Sequence, residues 1–228
     1  MADYAVLIPF VTTEEGKALL LEVRSQLVKQ PGEICFPGGR VEAGETPVET
    51  AVRETCEELG LKPEDIEVFA EPEIETEMMA DGRRVFSVKA QIKCLSDAAI
   101  SSQEFGPYAN GTHENRPYVH GPHENRPYES GAHELDKALT LNEAEVADVF
   151  LLPVSWIEGH APEYYVLSEA ADDELPEILR GYLANYGEFR RRGATYYWEY
   201  EGRGIWGLTA RIINRIVTSI PAAIPVQE

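Results

Sequence analysis

The segment from Gly39 to Leu61 constrains the fold of this 228-residue chain more than any other. Thr46, Pro47 and Glu49 predict the start of a helix: threonine is a common N-cap, and proline suits the first helical position. A glutamate three residues after the cap completes a capping box. Gly60 predicts the end of the helix, because glycine readily adopts the left-handed conformation that follows a last turn.

The two faces of this predicted helix differ in chemistry. Glu54, Glu57 and Glu58 are spaced so that their three carboxylates share one face. The opposite, mostly apolar stripe must pack inward and consists of Val48, Val52, Thr55 and Leu59. Three like charges on one face cost free energy unless a cation collects them, so the spacing predicts a divalent-metal site. The alternative interpretation is a solvated acidic face.

These residues match the Nudix box, a pattern of glycines, glutamates and one arginine at fixed spacings. The chain fills every fixed position, and its one departure is Thr55, where the pattern has a bulky apolar residue. The sequence therefore resembles the Nudix hydrolases, which use Mg²⁺ or Mn²⁺ to cleave nucleoside diphosphates linked to another moiety. The resemblance implies a diphosphatase with the α/β fold of that family, an α/β/α sandwich around a mixed sheet.

The resemblance also implies roles for individual residues. The implied metal ligands are Glu54, Glu57, Glu58 and the carbonyl group of Gly39. Arg53 and Glu45 are implied as the pair that orients this carboxylate cluster. A general base must take a proton from the attacking water, and members of the family differ in its position. The candidates are Glu54 first, and then Glu143 or Glu145. For the last two the alternative is a capped, solvated helix start.

The residues on either side of the box resemble the coenzyme A diphosphatase subgroup, whose pattern is roughly L-L-T-x-R-S-x3-R-x3-G-x3-F-P-G-G. Two departures from it are Lys29, which replaces an arginine, and a stretch to Gly32 that is one residue shorter. Lysine keeps the charge but loses bidentate phosphate recognition. Residues 204–210 resemble a further segment of the subgroup.

This second resemblance implies a particular reaction, the hydrolysis of coenzyme A or a derivative to 4′-phosphopantetheine and adenosine 3′,5′-bisphosphate. Arg24, Ser25 and Lys29 are then the candidate substrate-binding residues, since they lie in the subgroup's motif. One alternative is a hydrolase of ADP-ribose or another nucleoside-diphosphate sugar. A second is a Nudix-fold protein that binds or assembles without catalysis.

The composition limits the classes of binding partner and the cell compartment that we expect for this chain. With 20 basic and 40 acidic residues the formal net charge is −20, which argues against nucleic acid or an anionic membrane as a partner. A small nucleotide must instead be attracted by a bound metal and a few local cations. The three cysteines form no CxxC pair, which is typical of reduced thiols in the cytoplasm. We expect no signal peptide and no membrane span, and a homodimer is compatible with the family.

The remaining sequence predicts strands over 4–11, 18–24, 150–154 and 196–200 and a helix over 208–220. A hairpin is predicted over 67–78 and 84–94, with Asp81-Gly82 as its turn. Residues 106–134 are a ten-residue tandem repeat containing four of the five histidines. We interpret it as an exposed appendage inserted into one domain formed by 1–105 and 135–228. A metal-binding or lid element is the alternative.

Overall fold

The computed structural model describes residues 3–75, 84–95, 139–184 and 193–219. Within these ranges the first strands are β1 (Tyr4–Thr13), β2 (Gly16–Arg24), β3 (Ile34–Cys35), β4 (Gly38–Arg40), β5 (Ile66–Val68) and β6 (Glu73–Ile74). The later strands are β7 (Val85–Ile92), β8 (Val146–Pro153), β9 (Glu163–Val166), β10 (Ala194–Tyr200) and β11 (Arg203–Trp206). The helices are α1 (Pro47–Leu59), α2 (Val154–Gly159), α3 (Glu177–Ala184) and α4 (Gly207–Ser219).

The main sheet is mixed. Its strand order is β3-β2-β1-β7-β5, while β4 pairs with β1, β6 with β7 and β8 with β2. The pairing of β1 with β7 is parallel, and the other described pairings are antiparallel. A second, antiparallel sheet has the order β11-β10-β9. Because β8 pairs with β2, the chain on both sides of residues 96–138 contributes to the same sheet.

Alternation along β1 and β2 divides the core into two layers. One side of the sheet packs with Ala51 and Leu59 of α1 and includes Ala5, Leu7, Ala18 and Leu20. The other side packs with Ile212, Ile213 and Ile216 of α4 and includes Ile8, Phe10, Leu19 and Leu21. Each fully buried leucine or isoleucine in these layers contributes roughly 1.5–3 kcal/mol. The layers confirm the predicted α/β/α sandwich.

Helix α1 begins and ends where the sequence predicts. The backbone N–H of Glu49 donates to Thr46 Oγ1 (3.2 Å) and the N–H of Thr46 donates to a Glu49 carboxylate oxygen (2.8 Å), which completes the capping box. Gly60 follows with φ 67° and ψ 20° in the left-handed region. A Cβ atom there would also lie 2.6 Å from the carbonyl oxygen of Thr140, so no other residue fits.

Other elements differ from the prediction. The first arm of the hairpin is divided into β5 and β6, and its turn at Asp81-Gly82 lies outside the described residues, as does the repeat 106–134. Strand β7 ends at Ile92, so Cys94 is exposed and not part of its apolar face. Strand β8 begins earlier than expected, and α2, α3, β9 and β11 were not predicted because each is short. No helix within the described ranges has the length and apolar character needed to cross a membrane.

Candidate active site

Arg53 connects the acidic residues of the box. Its Nε donates to Glu45 Oε1 (2.7 Å) and its Nη2 donates to Glu45 Oε2 (3.1 Å), which gives a bidentate pair. Its Nη1 lies 2.9 Å from Glu54 Oε1 and 3.2 Å from Glu57 Oε2. Thr50 Oγ1 donates a further hydrogen bond of 2.8 Å to Glu45. One guanidinium therefore fixes Glu45 and contacts two of the predicted metal ligands.

Hydrogen bonding sets the charge of this pair. The Arg53 guanidinium, the Thr50 hydroxyl and the backbone N–H of Glu42 lower the pKa of Glu45 to about 2. The carboxylate of Glu45 in turn raises the pKa of Arg53. Both side chains are therefore ionised throughout the neutral pH range.

Glu54 lies against the backbone of Gly39. A Cβ atom built on Gly39 would lie 2.3 Å from the Glu54 carboxylate carbon and 2.3 Å from its Oε1, so this close approach requires glycine. Strand pairing places Gly39 opposite Ala5 at the start of β1. Burial raises the pKa of Glu54, whereas the Arg53 charge opposes that shift. The predicted ligand Gly39 is thus next to the predicted ligand Glu54.

Glu58 and Glu57 share a helix face but differ in burial. Glu58 is 7% exposed, and its Oε2 accepts a hydrogen bond of 2.9 Å from the backbone N–H of Gly38. Burial, together with repulsion from the Glu54 and Glu145 carboxylates, raises the pKa of Glu58 to about 8, while the hydrogen bond from the Gly38 N–H opposes the rise. The Glu57 side chain is 56% exposed and contacts Arg53. The three carboxylates therefore extend from the protein interior to its surface.

A fourth carboxylate, Glu22, was missed by the sequence prediction. It lies in β2, is 2% exposed, and its Oε2 is 3.9 Å from Cys35 Sγ. Its Oε1 is buried and has no hydrogen-bond partner in the described part of the chain. Burial raises its pKa, and repulsion from Glu58 and Glu145 adds to the shift. A single acidic residue within the apolar run of β2 was the available signal for it.

Residues 139–145, a loop far along the sequence from α1, bond to the end of that helix. The N–H groups of Thr140 and Asn142 donate to the carbonyl oxygens of Leu59 (3.0 Å) and Glu58 (2.9 Å), which satisfies carbonyls left free at the end of α1. Ser25 anchors the next residues: its N–H donates to the Glu145 carbonyl (2.8 Å) and its hydroxyl to the Glu143 carbonyl (3.0 Å).

The two later base candidates are not equivalent. The Glu145 carboxylate acts electrostatically on Glu22, Glu54 and Glu58, so this loop brings it to the cluster. The Glu143 side chain is exposed, and its described contact with the site is through its backbone carbonyl.

The predicted substrate-binding residues line the start of the adjoining loop. Arg24 Nε donates to the Lys29 carbonyl (2.9 Å), and Arg24 Nη1 lies 3.9 Å from Cys35 Sγ. The Arg24 charge opposes the rise in the pKa values of Glu22 and Glu58, which places it within electrostatic reach of the cluster. Lys29 is exposed and Ser25 is buried with its hydroxyl bonded to backbone. Their contact with substrate stays a prediction.

The donor set fits Mg²⁺ or Mn²⁺, because it consists of carboxylate and carbonyl oxygens around one end of α1. In the described ranges no three Asp, Glu, His or Cys side chains converge on a single point as a closed metal site. The three helix carboxylates have different partners instead, because Arg53 contacts Glu54 and Glu57 whereas the Gly38 N–H bonds to Glu58. Two features of the described residues nevertheless suit a cation: the buried Glu22 Oε1 has no hydrogen-bond partner, and the Glu54 carboxylate lies against the Gly39 backbone.

Residues 1–98 match the NUDIX domain family. This match covers the box helix and its glutamates, and it is less than half of the 228-residue chain. Nudix hydrolase 3 of Caenorhabditis elegans is 40% identical over 97 residues, which are 42% of this chain and 39% of that protein. The peroxisomal coenzyme A diphosphatase NUDT7 of Mus musculus is 42% identical over 69 residues, 29% of each chain.

A bacterial relative matches over a longer stretch. The uncharacterized Nudix hydrolase NudL of Pectobacterium atrosepticum is 24% identical over 218 residues, which are 95% of this chain and 81% of the relative. By contrast, the chain spans well under half the length of the worm and mouse proteins. The Nudix resemblance is thus confirmed for the domain.

Proposed function

We propose that this chain is a metal-dependent Nudix diphosphatase that hydrolyses coenzyme A or a derivative to 4′-phosphopantetheine and adenosine 3′,5′-bisphosphate. The observation that carries the hydrolase assignment is the intact cluster in which Arg53 joins Glu45, Glu54 and Glu57 beside Gly39. The choice of substrate is supported by the Arg24-Ser25 motif beside that cluster and by a relative named as a coenzyme A diphosphatase.

The contacts of each residue in the cluster indicate its role in the proposed reaction. Glu54, Glu57, Glu58 and the Gly39 carbonyl would hold Mg²⁺ or Mn²⁺, which when bound would neutralise diphosphate oxygens and would lower the pKa of a coordinated water. Arg53, fixed by Glu45, sets the positions of Glu54 and Glu57. The buried Glu58 is held in place by the Gly38 N–H.

The proton from the attacking water passes to a carboxylate of the same cluster. Glu54 remains the first candidate because its carboxylate lies directly against the Gly39 backbone. Of the two later candidates Glu145 is supported, since its charge reaches Glu54 and Glu58. Glu143 then acts through its carbonyl, which Ser25 uses to hold the loop.

The 3′-phosphate of coenzyme A requires cations next to the diphosphate site. Arg24 meets this need best because its charge already acts on Glu22 and Glu58, and Lys29 lies exposed five residues further on. A guanidinium can bind phosphate through two N–H groups, whereas the Lys29 ammonium acts as a point charge. Ser25 contributes by positioning the loop that ends in Glu145.

The test is hydrolysis of coenzyme A, ADP-ribose and NADH side by side with Mg²⁺ or Mn²⁺. We expect selective cleavage of coenzyme A to adenosine 3′,5′-bisphosphate and loss of that activity in Glu57→Gln. Glu67→Gln, which removes an exposed charge in β5 away from the cluster, serves as the matched control. Preference for ADP-ribose would overturn the coenzyme A assignment, and no metal-dependent turnover of any substrate would overturn the hydrolase assignment.

A further inference from the structure

Glu22 occupies a position where a strand normally places an apolar side chain. Residues Ala18 and Leu20 precede it at intervals of two and pack on the α1 side of the sheet, so alternation directs Glu22 to the same side. In the pairing of β2 with β3 it lies opposite Cys35, three residues before Gly38, whose N–H holds Glu58. Both strand geometry and pairing therefore aim Glu22 towards the acidic end of α1.

The contacts of the Glu22 carboxylate are not those of an ion pair. Its Oε2 has a weak contact with the Cys35 thiol at 3.9 Å, and its buried Oε1 has no partner within the described residues. Carboxylates are rarely buried to this extent unless they are paired or bind a metal. Glu22, which is 2% exposed, therefore has one buried carboxylate oxygen without a hydrogen-bond partner among the described residues.

The nearest cation does not satisfy this oxygen. Arg24 directs its Nε to the Lys29 carbonyl and its Nη1 towards Cys35, although its charge favours ionised Glu22. Glu58 and Glu145 act on Glu22 in the opposite direction, by repulsion. Three carboxylates from β2, α1 and the loop before β8 thus come within electrostatic reach of one another, and a divalent cation would offset their repulsion.

We propose that Glu22 is a further ligand of the divalent cation, acting together with Glu58. This inference rests on the proposed function, since it assigns one more oxygen donor to that metal site. It also separates this chain from the subgroup pattern that it resembles, in which threonine occupies the position of Glu22.

The test measures Mn²⁺ binding directly, by following the electron paramagnetic resonance signal of free Mn²⁺ during titration. Glu22→Gln keeps the shape of the side chain and removes its charge, and Glu22→Thr inserts the residue of the subgroup pattern, which suits a strand. Glu75→Gln is the matched control, because Glu75 is also buried but accepts hydrogen bonds from Ser87 Oγ (2.7 Å) and from Arg215 on the α4 side.

We expect both Glu22 variants to weaken Mn²⁺ binding by tenfold or more, about 1.4 kcal/mol per tenfold, and Glu75→Gln to bind as the wild type does. The rise in Tm on adding Mn²⁺ should shrink in parallel in the Glu22 variants. Unchanged Mn²⁺ affinity in Glu22→Gln would overturn the inference, since glutamine mimics a protonated, purely structural carboxyl group.

Different experimental results would overturn the role of Glu22 and the proposed function. If the wild type binds Mn²⁺ and hydrolyses substrate while Glu22→Gln binds Mn²⁺ equally well, only the role of Glu22 is overturned. If the wild type binds no Mn²⁺, both are overturned. A weakened Glu22→Gln variant accompanied by an equally weakened Glu75→Gln variant would also overturn the inference, because loss of any buried charge would then suffice.

Discussion

The hydroxyl of Ser25 donates a hydrogen bond of 3.0 Å to the carbonyl oxygen of Glu143, a residue 118 positions further along the chain. The backbone N–H of the same serine donates to the Glu145 carbonyl at 2.8 Å. One residue at the end of β2 thus holds the loop whose Glu145 carboxylate acts on the glutamates of α1. The position of that carboxylate therefore depends on a contact outside the Nudix box.

Ser25→Ala removes the hydroxyl contact and retains the backbone contact. We expect a loss of about 1 kcal/mol in the free energy of unfolding, typical of one hydrogen bond, and a drop in kcat of roughly tenfold because the loop is held less firmly. Urea unfolding and steady-state kinetics measure the two effects. Ser155→Ala, at an exposed position in α2, is the control, and equal behaviour of the two variants would contradict the prediction.

Alanine substitutions at two neighbouring glycines should have different effects. A Cβ at Gly39 would contact the end of the flexible Glu54 side chain, so Gly39→Ala should fold but displace that carboxylate and weaken Mn²⁺ binding and turnover by tenfold or more.

A Cβ at Gly38 would instead lie 2.3 Å from the Ala5 carbonyl oxygen and 2.6 Å from the Val6 Cα, at φ 152°. Backbone atoms cannot move aside cheaply, so Gly38→Ala should destabilise the fold by about 2 kcal/mol or more. Thermal unfolding of the two variants without metal checks the contrast. Equal loss of stability in both would contradict the assignment of Gly39 to the site.

The carboxylate of Glu45 should stabilise the fold in a defined pH window. Its pKa falls from an ordinary 4.5 to about 2 in the folded chain, so its contribution is present above pH 4.5 and is lost as the pH falls towards 2. The difference in unfolding free energy between the wild type and Glu45→Gln should therefore shrink across this window. Urea titrations at several pH values measure it, and a difference that stays constant from pH 5 to pH 2.5 would contradict the assignment.

The two acidic residues of the loop before β8 should differ in catalysis. Glu145→Gln should lower kcat at least tenfold more than Glu143→Gln does, because the Glu145 charge reaches Glu54 and Glu58. Both substitutions remove one exposed negative charge, so each is the other's control for net charge. Single-turnover measurements separate the chemical step from product release. A larger effect of Glu143→Gln would reverse the assignment.

Local features of the sequence determined the bounds and the faces of α1. The cap at Thr46, the proline at the first position and the left-handed Gly60 are all set by contacts within a few residues. The same is true of the common face of Glu54, Glu57 and Glu58, since helical spacing alone places them together. The pattern of the box also indicated Arg53 and Glu45 as partners, and they form a bidentate pair.

Other parts of the site are determined by strand pairing. Glu57 and Glu58 share a face, yet one is exposed and the other buried, because Gly38 approaches Glu58 through the pairing of β4 with β1. Likewise, the pairing of β2 with β3 places Glu22 opposite Cys35.

The sequence by itself therefore determined the box helix, its capping and the face that carries its three glutamates. Tertiary structure alone decided that the Glu22 and Glu145 carboxylates lie within electrostatic reach of Glu58, and that Ser25 holds the loop. The physical reason is the distance along the chain over which each kind of contact acts. Helix caps and helical spacing act over a few residues, whereas these contacts depend on the register of strands and on a loop more than a hundred residues away.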